Sequence, residues 1–249
     1  MISFAEISII VPCKNESENI LTLNGLMGSI PKDLELIFVE GGSEDDTAEQ
    51  CRKMASNFPK QVKLLTQSKK GKMNAVMEGI TNSSRKHIAI FDADLTVSLQ
   101  DQLRLIQIYC QNDGKSFVTG NRLNRRMHSG SMQRANLIAN YSFGLLFSIV
   151  MRNRIVDTLC GTKIFPKEIV MEPRCKKIVS NDPFGDFAMI LNGWLFDLKI
   201  ESINVEYLPR RYGATNIKRW TSGLLLIRIF IEFIINHGAA RKRKFRDLK

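Results

Sequence analysis

Two carboxylates stand one residue apart directly after an apolar run of the sequence. Residues 88–91 have the length and apolar content of a buried strand, and Asp92 and Asp94 follow it. Carboxylates at this spacing suit a hard divalent cation such as Mg²⁺ or Mn²⁺, which takes oxygen ligands and shares them with phosphates. A turn in which Asp94 caps the next helix would leave the same pattern, so the pair needs support from the rest of the chain.

Further polar clusters follow strand-like runs in the same half of the chain. These runs lie at residues 7–11, 34–39, 62–66, 87–91 and 116–120. Asn15 and Glu16 follow the first run, and Glu40 follows the second. Helical patterns separate the runs, which predicts an α/β fold with a mostly parallel sheet and helices on both faces. Ligands of such sheets bind beyond the carboxyl ends of the strands, so the clusters should meet at one site.

The second half of the chain is less regular. Residues 137–150 are strongly apolar but shorter than the about 20 residues that a membrane span needs, which predicts a core helix or a helix lying in a membrane interface. Residues 157–165 and 200–208 have strand-like patterns. Residues 184–194 predict a helix with Asp186 near its start.

Composition narrows the class of protein. The chain has 249 residues, 44% of them hydrophobic, and a net charge of +11, so it can bury a core and should favour acidic partners such as phosphates or an anionic membrane surface. Its five cysteines are scattered and form no C-x-x-C pair, which suits reduced thiols in the cytosol. No signal-peptide pattern begins the sequence.

Taken in order, the motifs resemble those of family 2 glycosyltransferases with the GT-A fold, in particular the dolichol-phosphate and polyprenyl-phosphate sugar synthases. The similar segments are residues 9–16, 39–47, 71–75, 91–94, 120–122 and 157–163, together with Arg210, Gly213 and Thr215. Each match is short, but seven in the same order extend over nearly the whole chain. The resemblance implies a Rossmann-like GT-A domain at residues 1–221, followed at residues 222–249 by an amphipathic helix and a basic tail.

Two positions depart from the pattern of this family. Where the family usually has Val-Asp-Asp-Gly-Ser, this chain has Glu40 and Gly41 in place of the two acids. The missing second acid removes one possible contact to the ribose or base, so the resemblance does not identify the nucleotide. Asn216 stands where the family often has lysine, with Lys218 and Arg211 nearby.

The resemblance implies an inverting, metal-dependent glycosyltransferase that moves a sugar from a nucleotide-diphosphate sugar to a polyprenyl phosphate or a glycan or lipid-linked acceptor. Mn²⁺ or Mg²⁺ would offset the charge that develops on the leaving diphosphate. Asp92 and Asp94 are the implied metal ligands, and Asp94 also counts among the catalytic residues. Arg122 and Arg210 are the implied catalytic cations. Asp186 is the general-base candidate for a hydroxyl acceptor, whereas a phosphate acceptor needs no base and would leave Asp186 to orient or bind the sugar.

The remaining implied contacts are to the nucleotide sugar. They involve Pro12, Cys13, Asn15, Glu16, Glu40, Gly42, Lys72 and Asp92. Glu40 should accept hydrogen bonds from the base or ribose, and Lys72 should face a phosphate. The structural alternatives are that Glu40 only caps the sheet edge and that Glu16 is only an acid in the first turn of a helix.

Two other functions compete with this hypothesis. A nucleotidyltransferase shares a similar sheet and metal carboxylate, but it usually has a glycine-rich loop after the first strand, where this chain has residues 12–15 without a glycine. A basic nucleic-acid-binding module fits the net charge. The basic residues lack the interleaved aromatic residues of a stacking surface, so we expect no nucleic acid partner.

The end of the chain bears on location. Residues 224–235 are nearly all apolar, and four consecutive basic residues follow at 241–244. This pattern favours a helix on an anionic membrane surface, or alternatively a core helix with a solvated tail. We expect a cytoplasmic protein that is peripheral on the cytosolic face of a membrane. The sequence does not indicate its oligomeric state.

Overall fold

The computed structural model describes residues 1–124, 127–129, 131–173, 182, 185–212 and 223–235. Seven strands form one sheet: β1 Ile7–Cys13, β2 Glu35–Glu40, β3 Val62–Thr66, β4 His87–Ile90, β5 Ser116–Asn121, β6 Lys163–Pro166 and β7 Lys199–Asn204. The α-helices are α1 Ser17–Leu26, α2 Thr47–Asn57, α3 Lys72–Asn82, α4 Leu99–Gln111, α5 Arg134–Met151, α6 Glu168–Met171 and α7 Asp186–Leu195. Residues 223–235 form a further helix.

The strand order is β3-β2-β1-β4-β6-β5-β7. All pairings are parallel except those of β6, which runs antiparallel to both β4 and β5. The mostly parallel α/β sheet predicted from the sequence is therefore confirmed. Because β6 runs against its neighbours, its first residue, Lys163, lies beside Ile90 at the edge where β1, β2 and β4 end.

Apolar side chains cover both faces of the sheet, as parallel strands require. On one face, α1, α2 and α4 contribute residues such as Ile20, Met54 and Leu105. On the other face, α3, α5 and α7 contribute residues such as Val76 and Phe187. The two layers hold the central strands rigidly, so the strand ends that carry the polar clusters are fixed relative to one another.

Only the last part of the strand predicted over 157–165 forms, from Lys163 onward. In segment 157–162, side-chain oxygens replace the backbone hydrogen bonds of a strand. Asn140 Oδ1 accepts from the Thr158 N–H at 3.1 Å, and Asp157 Oδ1 accepts from the Leu159 N–H at 3.1 Å. Backbone groups satisfied by side chains leave the segment irregular. The strand predicted over 200–208 likewise ends at Asn204.

The helix α5 and the helix at residues 223–235 lie against each other, with the ring centroids of Phe147 and Phe230 4.8 Å apart. One side of each helix belongs to the core. The other side of each carries an exposed apolar stripe at spacing i, i+3, i+7, i+11. The α5 stripe comprises Ile138, Tyr141, Leu145 and Ile149, and the C-terminal stripe comprises Leu224, Ile227, Ile231 and Ile235. These side chains are between 43% and 71% exposed.

The C-terminal helix thus packs one side in the core, as the core-helix alternative predicted, and has an exposed apolar face on the other. Its binding to a membrane surface remains a prediction. Among the described residues, no helix has the length and hydropathy to cross a membrane. The basic residues after position 235 lie outside the described residues. The division at residue 221 remains a prediction.

A buried carboxylate links several strands by hydrogen bonds at the edge of the sheet opposite the polar clusters. Glu35, at the start of β2, accepts hydrogen bonds from Ser8 Oγ, from Lys63 Nζ at 2.6 Å and from the Ser84 N–H at 3.0 Å. Burial raises the pKa of Glu35, but these donors more than offset it and lower the pKa from 4.5 to about 2. The ionised carboxylate therefore joins β1, β2, β3 and the turn before β4.

Replacing this carboxylate should make the protein less stable in a pH-dependent way. A group whose pKa falls on folding stabilises the fold above its unfolded pKa and loses that effect as the pH falls toward its folded pKa. We expect Glu35→Gln to lower the free energy of unfolding by about 2 kcal/mol at pH 7, and the deficit to shrink as the pH falls from about 4.5 to about 2. Urea unfolding across this range measures both effects.

The matched control is Glu49→Gln, which removes an exposed carboxylate from a helical pair with Lys53. Its unfolding midpoint should stay close to that of the wild type at every pH. A Glu35→Gln deficit that does not change with pH would mean that packing, and not ionisation, makes Glu35 important.

Candidate active site

The loops that follow β1 and β2 are bound to each other by side chains. The Asn15 N–H donates to Ser43 Oγ at 3.0 Å, and Asn15 Oδ1 accepts from the Glu44 N–H at 2.9 Å. The Glu16 N–H donates to Thr47 Oγ1 at 2.8 Å. Asn15 has a φ of 55°, a left-handed conformation that asparagine adopts more readily than most residues. These contacts bring Asn15 and Glu16 next to the loop that follows Glu40.

Glu40 supports this loop from inside. It is 6% exposed, and its Oε1 accepts from the Ser43 N–H at 2.6 Å. Burial raises the pKa of Glu40, but hydrogen bonds from Ser43 and from the Gly42 N–H outweigh this effect and lower the pKa overall. The carboxylate is therefore charged at neutral pH. Gly41 is crowded, since an added Cβ would lie 3.0 Å from Gln67 Oε1. The lack of an acid at position 41 therefore matches the space around it.

The predicted contacts at the end of β1 differ in what they can offer a ligand. Pro12 is half-buried at the strand end. The Cys13 side chain points into the core, where its Sγ lies 3.7 Å from Cys51 Sγ, and its carbonyl accepts from the Gly41 N–H at 2.9 Å. The contact with Cys51 and burial hold the pKa of the Cys13 thiol well above its usual value. Cys13 therefore contributes to the fold of the site, not to its charge.

Asp92 lies at the centre of the site. Its Oδ1 accepts from Lys72 Nζ at 2.5 Å, and Lys72 is the first residue of α3. Burial raises the pKa of Asp92, but Lys72, Lys163 and Arg122 outweigh it and the pKa is lowered. Gly161 approaches Asp92 so closely that an added Cβ would lie 1.9 Å from Asp92 Oδ2. Segment 157–162 can reach Asp92 only because residue 161 has no side chain.

Asp94 is paired with a cation from far along the chain. Its Oδ1 accepts from the Thr96 N–H at 3.1 Å and from Thr96 Oγ1 at 2.9 Å, an arrangement that fixes the carboxylate. Its Oδ2 accepts from Arg210 Nη2 at 2.5 Å. Arg210 Nη1 also lies 3.3 Å from Glu16 Oε1, so the guanidinium joins the loop after β1 to the end of β4. Burial raises the pKa of Glu16 despite this partner.

Arg122 is committed to a buried partner. Its Nε lies 2.8 Å from Asp157 Oδ2 and its Nη2 lies 3.0 Å from Asp157 Oδ1, and Asp157 is fully buried. Asn140 Nδ2, from α5, also donates to Asp157 Oδ1 at 2.6 Å. The guanidinium carbon lies 5.1 Å from the ring centroid of Tyr207. This bidentate pair fixes segment 157–162 at the site, and any contact of Arg122 with a phosphate must coexist with it.

Asp186 also has a cationic partner. Lys163 Nζ, fully buried, donates to Asp186 Oδ1 at 2.5 Å and to the Cys160 carbonyl. The N-terminus of α7 is occupied by a different acid, because Asp182 Oδ2 accepts from the N–H groups of Phe187 and Ala188 at 3.0 and 3.1 Å. Asp186 is therefore held by Lys163 and not by backbone donors of its helix.

The structure brings most of the predicted site residues together. Four ion pairs form one cluster: Lys72–Asp92, Arg210–Asp94, Arg122–Asp157 and Lys163–Asp186, with Glu16 as a second partner of Arg210. Five carboxylates thus face four cations, so the cluster has no excess positive charge with which to receive a diphosphate. A bound divalent cation would supply that charge.

The carboxylates at the end of β4 fit such a cation. Among the described residues, no three His, Cys, Asp or Glu side chains converge to hold a metal alone. Mg²⁺ and Mn²⁺ are commonly bound by one or two carboxylates together with substrate phosphates and water, which is what Asp92 and Asp94 can provide. A metal held by these two carboxylates would compete with Lys72 and Arg210 for their oxygens.

Sequence reasoning missed several residues that build the site. Lys163, Asn140 and Tyr207 act through contacts with residues distant in the sequence, and Asp182 holds the start of α7. Lys163 is the last residue of the family-like segment 157–163, and that segment was the sequence signal that could have identified it as a site residue. Other predictions lie outside the described residues, namely those on Gly213, Thr215, Asn216 and Lys218.

The fold and the paired carboxylates at the sheet edge define a GT-A domain of the kind that binds nucleotide sugars. The family model for glycosyl transferase family 2 matches residues 8–189, so the chain belongs to this family of glycosyltransferases, which use nucleotide sugars as donors. The resemblance noted from the motifs is confirmed.

Known relatives share different parts of the chain. It is 32% identical over 117 residues to the poly-beta-1,6-N-acetyl-D-glucosamine synthase of Staphylococcus epidermidis, a match that covers 46% of this chain and 28% of that protein. The chain thus matches less than a third of the length of this relative. It is 24% identical over 270 residues to the dolichyl-phosphate beta-glucosyltransferase of Saccharomyces cerevisiae, covering 98% of this chain and 77% of that protein.

Solved structures support the fold. Glucosyl-3-phosphoglycerate synthase from Mycobacterium tuberculosis, in complex with Mn²⁺, UDP and glucosyl-3-phosphoglycerate, aligns with a TM-score of 0.63 at 13% identity over 91% of this chain and 79% of that one. Its complex with Mn²⁺ and UDP-glucose aligns with a TM-score of 0.61 at 15% identity over 93% of this chain and 79% of that one. At these identities the likeness establishes the fold alone.

The contact between Gly161 and Asp92 leads to a prediction about donor binding. We expect Gly161→Ala to displace Asp92 or segment 157–162 and to weaken metal-dependent binding of the donor nucleotide sugar at least about tenfold, since small misplacements of a binding group are costly. Isothermal titration with and without Mn²⁺ measures this loss. Gly25→Ala is the control, because an added Cβ there meets nothing within 4 Å. Unchanged binding in Gly161→Ala would show that Asp92 is not held in place by this contact.

Proposed function

We propose that the protein is an inverting, metal-dependent glycosyltransferase that moves a sugar from a nucleotide-diphosphate sugar to a polyprenyl phosphate at a membrane surface. One observation carries the choice of acceptor. The helix α5 holds segment 157–162 through Asn140 on its buried side and presents the α5 stripe on its exposed side. A lipid chain lying along this stripe would bring its phosphate toward the segment that contacts Asp92.

The donor half of the reaction follows from the loops after β1, β2 and β4. Pro12, Asn15, Glu16, Glu40 and Gly42 surround the space proposed for the nucleoside. Asp92 and Asp94 would hold Mn²⁺ or Mg²⁺, and the metal would neutralise charge on the leaving diphosphate.

The cations of the cluster assist the leaving group in this proposal. With Asp92 and Asp94 holding a metal, the side chains of Lys72 and Arg210 would be available to the diphosphate, for which the guanidinium is well shaped. Arg122, already bound to Asp157, keeps the neighbouring segment in position. A phosphate oxygen of the acceptor then attacks the anomeric carbon from the face opposite the leaving group, which inverts its configuration.

Charge and apolar surface support membrane association. Residues 134–154 contain three arginines and no acidic residue, and the α5 stripe lies between them. The last nine residues of the sequence, 241–249, hold six basic residues. Apolar faces with basic flanks favour binding to an anionic bilayer surface, and a cytosolic face supplies one. The same pattern gives no support to a nucleic acid partner.

The donor and the metal can be tested with one substitution. We expect the wild type to release nucleoside diphosphate from at least one donor in a panel of UDP-, GDP- and dTDP-sugars when Mn²⁺ or Mg²⁺ and polyprenyl phosphate are present. Asp94→Asn should lower kcat at least about a hundredfold, because metal-assisted stabilisation of the leaving group is lost. Chromatographic analysis of the released nucleotide and of the glycolipid measures both products.

The control for this substitution is Asp33→Asn, an exposed acid at the opposite edge of the sheet, which should keep wild-type activity. Turnover with a glycan acceptor but not with polyprenyl phosphate would refute the acceptor and keep the donor half. No turnover with any donor would refute the proposal as a whole.

The α5 stripe gives a separate prediction about the membrane. We expect Leu145→Glu combined with Ile149→Glu to reduce binding to vesicles containing anionic lipid at least about tenfold, since the variant lacks two apolar side chains that would enter the bilayer and carries two charges that oppose insertion. Transfer to long-chain polyprenyl phosphate in those vesicles should fall with it. Transfer to a short, water-soluble polyprenyl phosphate should be preserved. Vesicle sedimentation and transfer assays measure these quantities.

Leu21→Glu is the matched control, because Leu21 is an apolar residue 50% exposed on α1, away from this face. Equal vesicle binding by the double variant and by the wild type would show that the stripe does not face the bilayer.

A further inference from the structure

Lys163 is a fully buried lysine inside the site, and it has no place in the reaction as described so far. Its ammonium group contacts two acceptors, the Cys160 carbonyl and Asp186 Oδ1, the latter at 2.5 Å. It reaches this position because β6 runs antiparallel and places Lys163 beside Ile90, two residues before Asp92. A buried ammonium is costly unless a carboxylate compensates it, so Lys163 and Asp186 must be considered together.

Asp186 faces charges from several sides. Lys163 of β6 forms an ion pair with it. Lys72 of α3 lies close enough for the negative charge of Asp186 to act on it. Burial lowers the pKa of Lys72, but the charges of Asp92 and Asp186 raise it overall. Asp92 is in turn affected by both lysines. Lys72, Asp92, Lys163 and Asp186 therefore form a set of alternating charges, in which Lys163 is the member that solvent does not reach.

This arrangement bears on whether Asp186 can act as a base. If Asp186 took a proton from an acceptor hydroxyl, Lys163 would be left as a buried cation whose contacting carboxylate had become neutral. Removing one partner of a buried ion pair is strongly unfavourable. The buried pair with Lys163 therefore favours a role for Asp186 as an acceptor of hydrogen bonds from the sugar.

We propose that Lys163 is a positioning residue that holds the Asp186 carboxylate in the site through their buried contact, so that Asp186 orients the transferred sugar through its hydroxyl groups and takes no proton from the acceptor. This inference rests on the proposed function and deepens it, because the acceptor must then arrive already ionised. The acceptor oxyanion forms the new bond to the anomeric carbon, the bond from that carbon to the diphosphate breaks, and the diphosphate leaves with the electron pair. No proton is transferred in this step.

The test is a charge-rescue experiment with Lys163→Met, Asp186→Asn, the double variant and Lys163→Arg. We expect Lys163→Met to lose at least about thirtyfold in kcat/KM, because an uncompensated carboxylate replaces the pair. The double variant should have a kcat/KM at least about threefold higher than that of Lys163→Met, since Asp186→Asn removes the uncompensated carboxylate. Asp186→Asn alone should act mainly on the KM of the nucleotide sugar, and Lys163→Arg should retain most activity. Thermal unfolding of each variant separates these effects from loss of fold.

The outcomes distinguish the two roles of Asp186. If Asp186 is a general base, Asp186→Asn alone should lower kcat by about 10² to 10⁴, and adding it to Lys163→Met should lower activity further; either result overturns the inference. Lys53→Met, which removes an exposed lysine paired with Glu49, should change neither kcat nor KM. If the wild type does not use polyprenyl phosphate, the proposed function fails by itself. The same variants then test the inference through the Kd of UDP with Mn²⁺, which should be weakened by Lys163→Met and partly restored in the double variant.

Discussion

The site depends on one close approach, that of Gly161 to Asp92. A Cβ at residue 161 would lie 1.9 Å from the carboxylate, so the segment before β6 lies directly against the end of β4. The Arg122–Asp157 pair and Asn140 fix that segment from behind. As a result, the residues that follow β4 and the segment that precedes the antiparallel strand β6 meet at a single carboxylate. Rigid supports of this kind are what hold a reacting group in place.

Charge pairing is the second constraint on the site. Each carboxylate of the cluster has a cationic partner, and the pairs differ in how firmly they are held. Asp157 and Lys163 are fully buried, so their pairs are part of the scaffold. Lys72 and Arg210 are each about a third exposed, and in the proposed reaction they would exchange partners when a metal and a diphosphate bind. Burial thus separates the cations that support the site from those that can serve a ligand.

The helix α5 links the site to the surface of the protein. Its buried side contributes Asn140 and the rings of Phe143 and Phe147, whose centroids each lie 4.8 Å from that of Phe187. Its exposed side carries the α5 stripe. The periodicity of a helix that is apolar on nearly all sides does not show whether it lies in a core or at an interface, because its two faces are equally hydrophobic. In this protein the tertiary packing buries one side of α5 in the core and leaves the other side exposed.

Local sequence patterns were sufficient to predict the parallel half of the sheet and the polar ends of its strands. Short β-branched runs separated by helical patterns are local signals, and they were enough to bring Asn15, Glu16, Glu40, Asp92 and Asp94 to one edge. The partners of these residues were not predictable in this way, since Arg210 and Asp94 are 116 positions apart and the pattern of neither residue indicates the other. The same holds for the place of β6 between β4 and β5, which turns Lys163 from one more basic residue into the buried partner of Asp186. These pairs become apparent in the folded chain alone, because pairing across a fold depends on which surfaces meet, and local periodicity does not encode that.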